Sequence, residues 1–448
     1  MSLFNSAWSS IKNLRKYSIG LAPTFIFPNG ISPKTNDAAL VAKYRGWTYI
    51  AASVNGAAVA STPLRLYATV GPDERMPESR DGGGCGEPLS EKQIDTMCKQ
   101  NSKRLSPRLR RADKIVEIFD HPFLDMMSNP NPWATQFEFM EGTSVFSDIT
   151  GDSYWQVTMD KRLGIPKQLY LLPSQFVRIV PDKTKFIKGY LFGRNAQNRV
   201  AFKPNEILHI KQFNPQDAYY GLGCLEAAIV AVNNYDSMDN YEGALTANMG
   251  VPGQVVSYKG RLKAEDIPKL EAEWNRTMKG VRNAGRTKVA SSEYEIKETG
   301  FSPREMGFLQ GRKWTRNEIA NSFGVPISML ETENVNKANA QAGNEQYARR
   351  SITPRLRRIE DKINDQLIPM YDEPRLFAAF DNPVPEDEEF NAKKAENTFK
   401  ANLITQNEGR RLIGEGAVEG GDRLSAEIIA MSNNQLQAPS TETDDEQE

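Results

Sequence analysis

The 448-residue chain carries 56 Lys and Arg against 57 Asp and Glu, a formal net charge of −1, with 39% hydrophobic residues and two His. That balance excludes a global electrostatic pull toward nucleic acid or an acidic membrane, so any such contact must be local. The length allows a large core divided over roughly two to four domains.

Cys85, Cys98 and Cys224 have no metal-ligand spacing and leave an odd one over, as plain thiols of a reducing compartment do. Met1 to Arg15 lack the apolar core of a secretory signal, and no run of about 18 apolar residues occurs, so the expectation is cytoplasmic synthesis with no membrane span.

Residues 1–38 are rich in Ser, Asn, Pro and Gly without sustained periodicity and read as a flexible N-terminal arm. A helix over Tyr44 to Ala60 presents Trp47, Ile50, Ala51, Val54, Ala57 and Ala58 on one face. After Pro63 a strand runs from Leu64 to Tyr67. Residues 71–111 hold Asp81-Gly82-Gly83-Gly84 and the basic cluster Lys103, Arg104, Arg108, Arg110 and Arg111, and read as an insertion. A helix from about Lys114 leads into His121-Pro122-Phe123-Leu124. The turn Asn129-Pro130-Asn131-Pro132 follows, and an amphipathic helix runs from Thr135 to Ile149 and stops at Gly151. Between Ser153 and His209 the pattern becomes short and β-rich. Tyr154 to Thr158, Pro166 to Leu172, Val177 to Val180 and Ile207 to Ile210 alternate or carry β-branched residues between Gly, Pro, Asn and Asp.

The next stretch combines two long helices and what lies between them. The first, Leu222 to Met249, spans on the order of 40 Å and is stopped by Gly250 and Pro252. The second starts at Ser302-Pro303-Arg304-Glu305, a capping box with proline at the first helical position, and ends at Phe323 before Gly324 and Pro326. Between them, Gly253 to Tyr258 reads as a strand, Ala264 to Lys279 as a helix and Lys288 to Glu298 as one or two strands. Two antiparallel helices that leave a body and return carry this basic insert as a stalk carries a head.

Glu331 to Asn344 has almost no large apolar side chain and reads as a loop. A long helix kinked at Pro354 then sets Tyr347, Ile352, Leu356, Ile359, Ile363 and Leu367 against Arg349, Arg350, Arg355, Arg357 and Arg358. Two shorter helices follow, and the polar, acidic end from Gln435 to Glu448 reads as disordered. The class is α+β.

In order, Trp47, Pro63-Leu64, His121-Pro122, Pro130-Asn131-Pro132, Gly151-Asp152-Ser153-Tyr154, Leu172-Pro173, Tyr220-Gly221-Leu222-Gly223, Phe323-Gly324-Val325-Pro326 and Met329-Leu330 resemble the portal proteins of tailed bacteriophages, of the HK97-like family. Thr405 to Arg410 and Gly420-Gly421-Asp422 resemble that family's C-terminal pattern. The likeness covers about residues 40 to 425, and departs from the family in the 71–111 insertion and in Asp152, where Asn is commoner.

The resemblance implies a ring, a dodecamer in the virion, at one capsid vertex. Each subunit of such a ring has an α+β wing (39–220), a two-helix stem (221–250 and 303–330), a small α/β clip (251–302), a tunnel loop (331–345), a long wing helix (346–384) and a helical crown (385–434). Such a ring is the conduit for double-stranded DNA in genome packaging and ejection. It implies as partners the terminase large subunit, a head–tail adaptor and the major capsid or scaffold protein, with no cofactor and no membrane. Its places are the virion and, during assembly, the host cytoplasm.

A conduit must not grip its cargo, because each phosphate neutralised by Lys or Arg adds salt-dependent binding. On this reading Asn334, Asn336, Lys337, Asn339 and Gln341 touch the DNA backbone weakly and without regard to sequence. Arg276, Lys279, Arg282, Arg286 and Lys288 form either a docking surface for an acidic motor or adaptor face, or a solvated helix face. Arg349, Arg350, Arg355, Arg357 and Arg358 line the channel or pair with acidic residues of a neighbouring copy; a ring needs repeating contacts, which favours pairing.

Enzyme readings find little to hold them. Gly221-Leu222-Gly223 is followed by Glu226 where a dinucleotide fingerprint needs glycine, and neither GxxxxGK[ST] nor GxSxG occurs. His121 and His209 are far apart, so catalytic and metal residues are expected to be none. The alternative is a metal-dependent nucleic-acid-processing enzyme built on carboxylates such as Asp236 and Asp239.

Overall fold

Small residues decide how the first helices pack. In the computed structural model, residues 37–71, 85–89, 94, 112, 114–247, 254–258, 265–278, 294–298, 308–330, 337–385 and 388–427 are described. Helix α1 (Asp37–Ala42) is followed by α2 (Trp47–Ala60). The face that α2 buries is Thr48, Ala51, Ala52, Asn55, Gly56 and Val59, and Ile50, expected inside, is 36% exposed. Close approach selects this face: a Cβ on Gly56 would lie 3.0 Å from Glu141 Cγ and 3.1 Å from Val145 Cγ2 of the helix opposite. Packing density at a crossing of two helices thus outweighs side-chain bulk.

Strand β1 (Leu64–Val70) pairs antiparallel with β3 (Lys114–Ile118), whose other edge carries β2 (Cys85–Pro88). The helix expected from Lys114 is therefore a strand. Ile115, Val116 and Ile118 are buried, and β-branched side chains between two strands prefer that conformation. Strand β2 falls within the expected insertion and extends the sheet; the glycine run and basic cluster of that segment lie outside the described residues.

Helix α3 (Pro122–Ser128) is capped by His121, whose Nδ1 accepts the Phe123 N–H at 3.1 Å. Helix α4 (Gln136–Thr150) starts with a Thr135–Glu138 capping box and ends at Gly151. Six strands follow: β4 (Asp152–Met159), β5 (Pro166–Leu172), β6 (Val177–Asp182), β7 (Phe186–Phe192), β8 (Val200–Phe202) and β9 (Ile207–Lys211). They form two antiparallel sheets, β5-β4-β9 and β6-β7-β8.

The expected first long helix is stepped: α5 (Cys224–Ala227) is separated at Ala228 from α6 (Ile229–Ala247). Strand β10 (Gln254–Tyr258), helix α7 (Ile267–Met278) and strand β11 (Tyr294–Glu298) follow, with β10 and β11 antiparallel. Helix α8 (Phe308–Ser322) returns. Gly250, Pro252 and the Ser302 capping box lie outside the described residues.

Helix α9 (Lys337–Tyr347) leads through a π turn (Ala348–Ile352) into α10 (Thr353–Lys362), and a second π turn (Ile363–Leu367) and a 3-10 turn (Ile368–Tyr371) precede β12 (Leu376–Phe380). The first wide turn sits where Pro354 removes a backbone donor and its ring demands room. In the second, Asn364 donates Nδ2–H to the Glu360 carbonyl at 3.0 Å and the Ala378 carbonyl at 2.7 Å, and accepts the Ala378 N–H at 2.8 Å. The helix is thereby stitched to the first sheet, whose full order is β12-β1-β3-β2. The main core gathers Trp155 of β4, Phe139 of α4, Leu66 of β1 and the Leu356-Ile359-Ile363-Leu367 stripe.

By contact the chain falls into two compact units, residues 1–383 and 384–448. The second holds α11 (Glu388–Lys400) and α12 (Gln406–Leu412), the latter opened by a Thr405–Glu408 capping box. Its buried Asn407 accepts the Val418 N–H at 2.8 Å and donates to the Val418 carbonyl at 3.0 Å and to Asp422 at 2.9 Å. Among the described residues no helix is long and apolar enough to cross a membrane.

Glu360 is 3% exposed, and one carboxylate oxygen accepts the Phe380 N–H at 3.1 Å. Burial raises its pKa to about 8 from 4.5. The folded state therefore holds a proton that the unfolded chain releases, and stability falls as pH climbs from about 4.5 to about 8. One such site contributes a slope of up to roughly 1.4 kcal/mol per pH unit. Glu360→Gln is expected to match the wild type in urea denaturation at pH 5 and to exceed it increasingly toward pH 8.

Candidate functional site

The two long helices meet the body at one buried charge. Asp148, in the last turn of α4, is fully buried and lies beside Arg355 of α10, whose side chain is 13% exposed. Arg355 Nε donates to Asp148 Oδ1 at 3.0 Å and an Nη donates to Oδ2 at 3.1 Å, the bidentate fork that suits guanidinium and carboxylate. Its remaining donors reach the Ser351 carbonyl at 2.8 Å and the Phe323 carbonyl at 3.0 Å. Asn55 of α2 donates to Asp148 at 2.9 Å and to the same Phe323 carbonyl at 3.0 Å, and Tyr347 donates to Asn55 Oδ1 at 2.9 Å. Ser351 Oγ donates to the Gly324 carbonyl at 2.6 Å. The open carbonyls at the end of α8, the negative pole of that helix, thus face a cation and two neutral donors.

The start of the first helix is held in the same place. Cys224 Sγ lies 3.7 Å from Asp148 and 3.8 Å from Arg355, and burial, followed by Asp148, pushes its thiol up to about 12. It is a packed, protonated thiol with no redox or nucleophilic reactivity at neutral pH.

Just before it, backbone meets backbone: a Cβ on Gly221 would sit 2.1 Å from the Gly151 carbonyl oxygen, and one on Gly223 would sit 2.4 Å from that of Ile149. This close approach explains the Gly221-Leu222-Gly223 spacing without any phosphate. Asp152 fixes the turn, accepting the Gly221 N–H at 2.8 Å on an oxygen that also meets His209 Nε2 at 2.9 Å. Burial lowers the His209 pKa against the pull of Asp152. Both histidines are therefore structural, one a helix cap and one a buried partner of Asp152.

Along the pair, Arg312 of α8 donates to Tyr235 Oη at 3.0 Å and Asp239 at 3.0 Å and pairs with Glu242, all on α6. Tyr235 also accepts the Trp47 indole N–H at 3.2 Å, and Arg316 stacks over the Trp47 ring at 5.2 Å. Asp236 pairs with Lys43 and Arg45. The helices are antiparallel, since Arg312 faces Asp239 and Glu242 while Phe323 and Cys224 share Arg355. Asp236 and Asp239 serve separate cations and do not converge, and among the described residues no three His, Cys, Asp or Glu side chains gather as a metal site.

The sequence-predicted residues fare differently. Arg355 neither lines a channel nor waits for a neighbouring copy, because Asp148 of its own chain neutralises it. Arg349 is exposed and pairs with Glu345 one turn back, Arg350 is exposed, and Arg357 and Arg358 are half-buried. Residues 337–345, expected as loop, are helical in α9, so Lys337, Asn339 and Gln341 sit on a helix; Asn334 and Asn336 lie outside the described residues. Ala338, Ala340 and Ala342 favour helix strongly, and the following helix supplies the nucleus. Arg276 is exposed on α7, while Lys279, Arg282, Arg286 and Lys288 lie outside the described residues.

A model of the family described as "Phage portal protein" matches residues 101–414. The chain belongs to the phage portal protein family. Among its relatives are the portal protein of Enterobacteria phage HK97, 23% identical over 66% of this chain and 69% of that one, and an uncharacterized protein of Rickettsia felis, 26% identical over 70% and 82%. In fold it resembles a chain from the neck of a native gene transfer agent particle computed with C12 symmetry, with a TM-score of 0.57 at 20% identity over 88% of this chain and 99% of that one. The portal family is structural, and the function that membership carries is that of a capsid portal.

For this portal protein the Asp148–Arg355 pair predicts an asymmetry. Removing either partner strands a buried charge, so Arg355→Met or Asp148→Ala should each cost about 3–5 kcal/mol in denaturant unfolding. The double variant should cost less than the sum, because neither charge is then left alone.

Proposed function

We propose that copies of this chain close into a ring at one capsid vertex and that the ring is the conduit through which double-stranded DNA enters during packaging and leaves at ejection. The observation that carries this reading is the antiparallel pair α6 and α8, bound to the α+β body at one end through Arg355, Asp148 and Asn55, with the β10–α7–β11 unit inserted between the helices. In a ring such pairs stand side by side as the stem, the inserted unit is the clip, residues 39–220 are the wing and residues 385–434 the crown. The twelvefold symmetry of the gene transfer agent neck supports twelve copies in the particle.

Residues 331–345 face the channel on this reading, with Asn334, Asn336, Asn339 and Gln341 offering neutral hydrogen bonds and Lys337 a lone charge. Few cations keep salt-dependent adhesion small, so the duplex slides. Arg276, Lys279, Arg282, Arg286 and Lys288 give the clip a basic surface for the terminase large subunit and later the head–tail adaptor, with charge setting approach more than affinity. The wing meets the major capsid or scaffold protein. Arg349 and Arg350 remain available to acidic side chains of a neighbouring copy. The particle forms in the host cytoplasm and stays in the virion.

Negative-stain class averages of the purified protein are expected to show annular particles with rotational symmetry and a mass many times 50.2 kDa; a monodisperse single chain at all concentrations refutes the ring. Lys337→Ala combined with Gln341→Ala should leave rings intact and lower the DNA retained in heads. Normal DNA content in those heads would remove the assigned role from this segment.

A further inference from the structure

Next to the Asp148–Arg355 pair lies a cleft of about 230 Å³ that the fold leaves unused, lined by Ser144 and Ser147 of α4, Ile210 of β9, and Arg355, Arg358 and Ile359 of α10. Two of its polar groups lack what burial demands. Ser144 is 3% exposed, and its Oγ is buried with no hydrogen-bond partner. Arg358 is half-buried and makes no hydrogen bond or ion pair among the described residues, while Arg355, the cation beside it, is already neutralised by Asp148. Burial and the repulsion of Arg355 hold the Arg358 guanidinium below its ordinary range. One turn further on, Lys362 is half-buried and likewise unpaired, with Lys211 of β9 as its charged neighbour. A cation and a hydroxyl left unsatisfied at one cleft are costly to a folded chain unless something completes them.

We propose that this cleft is a seat for one carboxylate, supplied by an acidic side chain of a second copy of this chain. The chemistry on the page selects the ligand. Arg358 presents a planar fork that matches a carboxylate in two parallel hydrogen bonds, and Ser144 supplies a third donor to the same group. One negative charge cancels the single uncompensated guanidinium of the cleft. The walls, Ile210 and Ile359, are apolar and offer a larger, more strongly hydrated phosphate nothing in return for its water. Lys362 adds positive potential beside the seat and steers an acidic surface toward it. The chain's own first 36 residues contain no Asp or Glu, so the arm that precedes α1 cannot fill the seat with a side chain. A second copy is the natural source, because a heterologous ring contact sets a cleft on one face of each copy against a different face of the next. The source therefore rests on the ring reading above.

The experiment compares wild type, Arg358→Gln and Arg358→Lys as full-length proteins. Dissociated chains are melted at high salt, rings are counted by mass photometry across a salt and dilution series, and DNA retained in heads is measured. In the isolated chain the guanidinium is an unpaired half-buried charge, so Arg358→Gln should melt at the same temperature as wild type or higher. Its rings should dissociate at a protein concentration at least tenfold higher, and Arg358→Lys, which keeps the charge without the fork, should fall between.

Rings of Arg358→Gln as resistant as wild type would overturn the proposal. So would a parallel loss of stability in the isolated variant, which marks a purely structural arginine. Unchanged rings with less DNA retained would mark a phosphate contact and overturn it as well. If wild type forms no rings, the ring reading fails, and the second copy as the source of the carboxylate falls with it. That outcome is told apart from failure of the seat alone, in which wild type and variant assemble equally.

Discussion

The buried ion pair between Asp148 and Arg355 is the constraint on which the architecture rests. A carboxylate and a guanidinium taken from water are favourable only when every remaining donor and lone pair finds a partner. Here the surplus donors of Arg355 go to Ser351 and Phe323 and those of Asn55 to Phe323 and Asp148, so the pair recruits four separate segments. What these contacts hold is the open end of α8, which a loop between two domains would otherwise leave to solvent. The charge pair thus does the work of a helix cap and fixes where the returning helix enters the body.

The contacts along the helix pair are of another kind. Arg312 and its acidic partners on α6, and Asp236 with Lys43 and Arg45, are partly exposed, and such pairs are worth little each, roughly 0–1 kcal/mol. The pair is therefore strongly fixed at its base and only lightly tied along its length. Nearly all of α6 beyond Asn233 is exposed or half-buried in the single chain, so its partners in an assembly weigh heavily in its final packing.

Much of this was legible in the residues. Caps and stops were read correctly where their chemistry is local, as with Gly151 after α4 and the proline after His121. The failures are where tertiary contacts override local pattern. The segment from Lys114 has a helix-compatible composition, but sheet neighbours on both sides decide its state. The buried face of α2 was misread because bulk was weighed and closeness was not, although Gly56 among alanines was a visible cue. Arg355 looked like one of a row of solvent-facing arginines, and its partner lies 207 residues away. One signal was available: Asp148 continues the i, i+4 stripe of Met140 and Ser144 on α4, where a carboxylate on a buried face demands a cation. The helix at Lys337 was missed because the polarity of Asn and Gln was weighed above the intervening alanines.

The junction of Gly151 with Gly221 and Gly223 has a mechanical meaning. Most joints between elements are cushioned by side chains that change rotamer and absorb small displacements. Here main chain lies against main chain, leaving no compliant layer, so a load arriving along the first helix passes into the end of α4 and the first residue of β4 without damping. Strain generated at one end of the molecule is thereby delivered to the sheet as rigid displacement rather than dissipated as local disorder.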